Sequence, residues 1–361
     1  MISLFELGWS EFFENEFRKR NEGGVCPARV VEELKEAYRV RGETGEFLSD
    51  VAGRLRFAAQ SREGLPAVGD WVVIAPRERE GRATIQCVLP RRSKVSRKAA
   101  GRAAAEQVIA ANLDTIFVVS SLNRDFNIRR IERYLAMVWE SGASPVVLLT
   151  KADLCEDAAQ RAEEMNSVAM GVPVHVLSAM SGEGLDALAT YLRVGRTVAL
   201  AGSSGVGKST LINRLLGREE LVTKPVREDD DRGRHATSTR RLVILPSGGM
   251  LVDTPGMREL QLWDAESGLE RAFEDIATIA NGCRFRDCSH QEEPGCAVRQ
   301  AIEIGELDAE RLESLRKLER ELEFLARKQD AGLQSAEEKK WKKVHQEQKR
   351  HYQQRARYGR Q

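Results

Sequence analysis

Cysteine is scarce in this chain, with six in 361 residues, too few for a disulfide scaffold at this length. Three of the six crowd between Cys283 and Cys296, a distribution that fits a reducing cytoplasmic compartment and one metal site. Long apolar runs are missing as well. No stretch reaches the 18 residues that a membrane helix needs, so no span and no membrane partner are expected. The apolar start, Met1 to Arg20, is broken by Glu6, Glu11, Glu14 and Glu16, which excludes a secretory signal. Net charge is almost absent: 56 Lys and Arg face 55 Asp and Glu, a formal +1. The whole-molecule balance therefore does not announce a nucleic-acid binder, and any such role must come from local clusters. No internal repeat is found.

What is present is length and texture. A chain of 361 residues exceeds one ordinary core and predicts two or three domains, and 42% hydrophobic residues support globular folding. Residues 1 to about 35 read as helical. Short strand-like runs follow, split by Gly and Pro: Tyr38-Arg-Val, Glu46 to Phe57, Asp70 to Ala75 and Ala83 to Leu89. Their spacing predicts a small antiparallel barrel, first of all the five-stranded oligonucleotide-binding (OB) type, with a ligand-free barrel as the alternative. The run Arg91 to Arg102 then carries six basic residues and no acid. It is either a solvated linker or a contact to a phosphate backbone.

From about residue 112 apolar strands alternate with helical stretches: Thr115–Ser120, Pro145–Leu149, Val172–Leu177, Thr197–Ala201, Arg241–Leu245 and Met250–Val252. Such alternation predicts a mostly parallel sheet with helices on both faces. Three domains are expected: residues 1–102 (helix, OB-type barrel, basic linker), 103–272 (α/β nucleotide-binding domain) and 273–361 (helical, cysteine-bearing, with a basic tail).

Chemistry enters at Gly202-Ser203-Ser204-Gly205-Val206-Gly207-Lys208-Ser209-Thr210, between a predicted strand and a predicted helix. Glycines let backbone N–H groups turn around phosphates, and Lys208 brings a point charge to the outer oxygens. Ser209 offers a hydroxyl to Mg2+, and the helix N-terminus adds its dipole. Thr150-Lys151-Ala152-Asp153 closes the strand Pro145–Leu149. A carboxylate there can accept the N1–H and exocyclic amine of guanine, which adenine lacks. The next strand ends in Ser178-Ala179-Met180, whose backbone can meet the guanine carbonyl. Asp253-Thr-Pro-Gly256 ends the strand Met250–Val252, where the aspartate can hold Mg2+ through water and the glycine N–H can face the γ-phosphate. Between phosphate loop and Asp253 lies a polar stretch in which Thr237, or alternatively Thr239, would close on Mg2+. The motifs run in rotated order compared with a Ras-like domain. Loops at the C-terminal ends of strands can survive such a permutation if the old termini lay close together.

Downstream, Cys283-x4-Cys288-x-His290-x5-Cys296 offers three thiolates and one imidazole, the set for one closed structural zinc. His175 reads as a core histidine, while His345 and His351 have no evident partner. Leu315, Leu318, Leu322 and Leu325 step as the apolar stripe of a helix expected to pack on its own domain. From Lys339 the tail is basic, with Trp341, Tyr352 and Tyr358 interleaved, a composition suited to structured RNA.

Taken together, the barrel, the permuted motifs and the segment Cys283-Arg-Phe-Arg-Asp-Cys-Ser-His-Gln-Glu-Glu-Pro-Gly-Cys-Ala-Val298 resemble the family of the bacterial ribosome small subunit-dependent GTPase A. The resemblance implies a circularly permuted GTPase. It would be a late assembly factor that binds the immature small ribosomal subunit through rRNA, cycles between GTP and GDP, and leaves on hydrolysis. It is expected to act as a monomer. Gly233-Arg-His235-Ala236-Thr237 is similar to the family's switch signature and supports Thr237 as the magnesium threonine. Thr150 stands where Asn is usual, which predicts softer base affinity, and Ala236 replaces a usual threonine. Met257 follows Gly256 where Ras-like enzymes keep a water-orienting glutamine, and a thioether cannot orient water strongly. Turnover is therefore expected to be slow alone and stimulated by the subunit, with His235 as the internal candidate to handle the water. Two other classes stand beside this reading. One is a GTP-dependent RNA-binding module with incidental hydrolysis; the other, an ATP-dependent nucleic-acid enzyme, is opposed by Asp153.

Overall fold

The computed structural model describes residues 2–20, 23–59, 62–98, 106–123, 126–169, 171–218, 240–253 and 266–329. The predicted helical start is shorter than expected: α1 spans Glu11–Arg18, and Cys26–Glu33 is already strand β1. The helix ends at Arg18, and beyond the bend at Gly23 and Gly24, Ala28 and Val30 bury one face of a strand into the barrel core. The barrel continues with β2 (Tyr38–Gly42), β3 (Gly45–Val51), β4 (Trp71–Arg77) and β5 (Arg82–Val88). The run expected as strand from Glu46 to Phe57 stops at Val51. It turns into a short helix α2 (Gly53–Ala58), because Leu55 then seals the barrel core from outside. Strand β1 pairs β2, β2 pairs β3, β3 pairs β5 in parallel, β5 pairs β4, and β4 returns to β1. That ring closes a five-stranded barrel around Ala28, Val30, Val40, Phe47, Val72, Ile74, Ala83 and Ile85. Helix α1 covers its side through Phe13, 5.8 Å from Trp71 between ring centres, and Trp9 just before the helix lies edge-on to Trp71 at 4.6 Å.

The basic run is partly built into the fold. Arg91 makes an ion pair at 2.7 Å with the fully buried carboxylate of Asp70, and Lys94 pairs with Glu63 and Glu106. Residues Lys94–Lys98 form β6, hairpinned to β7 (Glu106–Ala111). Arg91 and Lys94 are therefore paired within the fold, by acids that arrive from distant parts of the chain.

Next come β8 (Thr115–Ser121), α3 (Ile128–Glu140), β9 (Ser144–Thr150), α4 (Ala158–Val168), β10 (Val174–Val176), β11 (Thr197–Ala201), α5 (Lys208–Leu216), β12 (Arg240–Ile244) and β13 (Met250–Asp253). Among the described residues their sheet order is β10-β9-β8-β11-β13-β12, parallel except for the antiparallel β12. All of β8 is buried, as a central strand covered on both faces must be. Ile116 and Val118 face α3, whereas Phe117 and Val119 face α5. Strand β12 also pairs β1, so one continuous sheet runs from this domain into the barrel. At that junction Arg29, wholly buried, donates to the carbonyls of Leu7, Gly69 and Asn112.

The C-terminal region holds α6 (Glu266–Ala272), α7 (Glu274–Ala280), α8 (Ala297–Glu303) and α9 (Ala309–Gln329). A Cβ on Gly268 would lie 2.1 Å from the Ala136 carbonyl, so α6 approaches α3 as closely as only glycine permits. The leucine stripe is absorbed within the chain: Leu318 and Leu322 are buried, and α9 packs against α3 and α6. No helix among the described residues is long and apolar enough to cross a membrane.

Candidate functional site

The parallel strands deliver four motif loops to one end of the sheet. Thr150 ends β9, Leu177 and Ser178 follow β10, Gly202 follows β11, and Asp253 ends β13. Since β9, β8 and β11 are neighbours, the loop after β9 and the loop after β11 lie side by side. The Thr150 hydroxyl donates to the Val206 carbonyl at 2.6 Å and lies 3.3 Å from the Ser120 carbonyl. This bond joins the Thr150–Asp153 segment to the glycine-rich loop across 56 residues of chain.

Within that loop Gly202 has φ +140°, and a Cβ there would stand 2.2 Å from the Val119 carbonyl. A side chain would push the loop off β8, so glycine is required by close approach. Ser204 and Gly205 are exposed, Val206 is buried in the core around α5, and Ser209 and Thr210 occupy the first turn of α5, half-buried. Lys208 is 7% exposed, and its ammonium donates to the Gly202 carbonyl at 2.6 Å and to that of Ser203. The single cation of the loop is thereby held inside its curve, at the positive end of the α5 dipole.

Lys151 adopts the left-handed conformation, φ +61°, uncommon for a residue with a side chain. That turn sends Ala152 and Asp153 into a 3-10 turn, where Asp153 is exposed and accepts the buried Ser178 hydroxyl at 2.5 Å. The same serine oxygen accepts the Ser181 N–H at 3.1 Å. Ala179 is half-buried beside it. A carboxylate has about four lone-pair positions, so Asp153 keeps acceptor capacity for a planar base carrying two donors. Thr237, His235, Thr239, Gly256 and Met257 lie outside the described residues, as do Gly233, Ala236 and the tail from residue 330 with His345, His351, Trp341, Tyr352 and Tyr358.

A second constellation lies beyond α7. The ligand atoms of Cys283, Cys288, His290 and Cys296 all lie within 4.8 Å of one another. His290 Nδ1 stands 3.6 Å from the Cys283 sulfur and 3.4 Å from that of Cys296, and these two sulfurs are 3.9 Å apart. Tetrahedral bonds of about 2.3 Å to sulfur and 2.0 Å to nitrogen require S···S near ~3.8 Å and S···N near ~3.5 Å. The donor set and its spacing therefore fit a metal ion. Glu293 organises the loop between the ligands, accepting from the backbone of Ser289, Gln291 and Glu292 and from the Ser289 hydroxyl. Those hydrogen bonds pull its carboxyl down to about 2. Arg316 of α9 donates to the His290 carbonyl at 2.8 Å and ties the cluster to the long helix.

Sequence reasoning missed the role of α3. Arg130 donates to the Ser203 hydroxyl of the glycine-rich loop at 3.1 Å. Glu132, 1% exposed, accepts from Arg311 of α9 at 2.7 Å and from the Ser314 hydroxyl at 2.7 Å. One signal was available: two arginines in the first turn of a helix oppose its dipole and call for partners.

Residues 88–263 match the family model described as RsgA GTPase. A relative from Opitutus terrae named small ribosomal subunit biogenesis GTPase RsgA is 47% identical over 96% of this chain and 97% of its own length. A second, small ribosomal subunit biogenesis GTPase RsgA 2 from Lactiplantibacillus plantarum, is 46% identical over 90% of each. Among solved structures, YjeQ from Thermotoga maritima superimposes with a TM-score of 0.63 at 27% identity, covering 82% of this chain and 98% of that one. YloQ, described as a circularly permuted GTPase, has the same fold at a TM-score of 0.61 and 24% identity.

Proposed function

Because the chain belongs to the RsgA GTPase family and is a GTP hydrolase, we propose that it serves assembly of the small ribosomal subunit as a cytoplasmic, monomeric factor. In this reading it binds the immature subunit through rRNA, cycles between GTP and GDP, turns over slowly alone, and leaves once the bound subunit has stimulated hydrolysis. The observation that supports the site assignment is the bond from Thr150 to the Val206 carbonyl, which brings the segment carrying Asp153 beside the glycine-rich loop.

The residues take these roles. Asp153, steadied by Ser178, reads the guanine edge, with Lys151 along the base plane and Ala152 and Ala179 offering backbone. Gly202 to Gly207 wrap the phosphates, and Lys208 and Thr210 hold them at the start of α5. Ser209, Asp253 and Thr237 would hold Mg2+, which offsets phosphate charge when bound. Gly256 faces the γ-phosphate, and His235 handles the attacking water. Cys283, Cys288, His290 and Cys296 hold one structural zinc, with no coordination position left for catalysis. The three regions expected from the sequence would divide the work: barrel and tail on RNA, the central domain on nucleotide, the zinc module on transmission.

The test is a pelleting assay with purified small subunits under GDP and under a non-hydrolysable GTP analogue, run beside multiple-turnover GTP hydrolysis with and without subunits. Co-sedimentation favoured by the GTP analogue, with hydrolysis stimulated by subunits, is expected. Equal binding under both nucleotides with unstimulated turnover would sink the proposal.

A further inference from the structure

Helix α3 makes contacts in two directions. Arg129, Glu132 and Arg133 recur at helical spacing and share one face. That face meets the C-terminal helices. Arg129 donates to Asp308 and to Glu132, Glu132 takes up Arg311, and Arg133 makes two parallel bonds to Glu321 at 2.7 and 2.6 Å. Arg130, about 100° round the helix from Arg129, reaches instead to the Ser203 hydroxyl at 3.1 Å. Ser203 also gives its carbonyl to the Lys208 ammonium, so one residue separates Arg130 from the cation of the phosphate loop. Asn127 caps the helix by accepting the Arg130 N–H at 2.9 Å, which fixes the first turn that carries both arginines.

Two cations at the positive end of a helix dipole are unfavourable unless both are partnered. Their partners lie about 100° apart round the helix, Asp308 and Glu310 of the C-terminal module for Arg129 and Ser203 of the glycine-rich loop for Arg130. The first turn of this thirteen-residue helix is thus in contact with both groups, which gives a displacement of either a path to the other.

We propose that α3 couples the seating of the C-terminal module to the phosphate loop, with Arg130 as the positioning residue that transmits it through Ser203. The proposal rests on the assignment of Gly202–Lys208 as the phosphate loop. The link it describes runs through contacts of α3 with residues far from it in the chain.

The experiment is a double-mutant cycle on the full-length, zinc-loaded chain, reading affinity for a fluorescent GDP analogue together with kcat and KM for GTP. Arg130→Ala is expected to weaken GDP binding or lower kcat about tenfold, the scale of a lost charge-assisted hydrogen bond. Arg130→Lys, whose ammonium can still donate to Ser203, should recover part of that. Glu321→Ala should move the same parameter about threefold in the wild-type background and add nothing in the Arg130→Ala background. Exchanging the pair, Arg133→Glu with Glu321→Arg, should restore the wild-type value. Ser203→Ala removes the acceptor hydroxyl without touching α3 and stands in if an Arg130 variant does not fold. Additive effects of Arg130→Ala and Glu321→Ala, or nucleotide parameters unmoved by Ser203→Ala and by Arg130→Ala, would overturn the coupling. Lys208→Ala distinguishes the two levels. If it leaves GDP affinity intact, the phosphate-loop assignment fails and the coupling with it. If it abolishes binding while the cycle is additive, only the coupling fails.

Discussion

At the scale of single residues, Thr150 shows how one hydroxyl can stand in for a larger polar group. It is 1% exposed and gives its only proton to the Val206 carbonyl. Replacing it by valine keeps the shape and leaves that carbonyl without its donor, a loss of about 1 kcal/mol. Titration with a fluorescent GDP analogue should therefore show Thr150→Val binding roughly five-fold more weakly. Thr150→Asn, which brings two N–H donors, should bind at least as well as the parent. A Thr150→Val protein with unchanged affinity would detach the hydroxyl from nucleotide binding. The residue types at this site were legible from the sequence, because Lys-x-Asp and the glycine-rich loop have recognisable spacing. The bond between them was not, since 56 residues separate its ends.

Elements are held to one another by charge as well as by apolar packing. Arg311 is 4% exposed, forks onto Asp275 of α7 at 2.6 and 2.8 Å, reaches Glu132 of α3, and lies over the Phe273 ring at 4.8 Å. Removing one member of such a buried group leaves unpaired charge behind and costs on the order of 3–5 kcal/mol. Denaturant unfolding of Arg311→Ala should show a loss of that order. The double replacement Arg311→Met with Glu132→Leu should cost distinctly less, because no buried carboxylate is then stranded at Glu132. On β10, burial lowers the pKa of His175, whose Nε2 meets the Tyr191 hydroxyl at 2.9 Å. The folded state thus prefers the neutral ring. Its stabilising contribution is full above the unfolded value near 6.5 and is lost as pH falls through the folded value. Melting temperatures between pH 7.5 and 5 should fall less steeply for His175→Phe than for the parent, and identical slopes would refute the assignment. Most strand positions in the α/β domain followed from apolar runs, since strands buried on both faces leave a plain signature. The barrel's first strand was hidden because Cys26–Glu33 mixes charge with valine and follows a true helix.

Over the whole molecule, the barrel and the nucleotide domain share one sheet through β1 and β12, and Arg29 locks the joint. Burial lowers the Arg29 guanidinium to about 10, so it remains charged at neutral pH and needs its three carbonyls. At the other end, the Cys3His cluster gathers ligands from a loop that carries little apolar packing of its own. Metal analysis should find about one zinc per chain. A strong chelator should lower the melting temperature, and zinc should be released more readily as pH falls, since thiolates and imidazole must be deprotonated to bind. A chain that melts at the same temperature with and without chelator would remove the structural role.

The amino-acid sequence alone determined which chemical groups the chain carries: a glycine-rich loop with one lysine, a Lys-x-Asp segment, a Cys3His set, and the order in which they follow one another. It could do so because each motif depends on residue types at short spacing, which the chain carries wherever it folds. Only the tertiary structure decided which cations are free and which are spent on structure, as Arg91 is on Asp70. It alone revealed that α3 contacts both the glycine-rich loop and the C-terminal helices. Ion pairs and hydrogen bonds between residues far apart in the chain leave no periodicity behind. They arise only when packing has brought the elements together and removed the water that would otherwise solvate them.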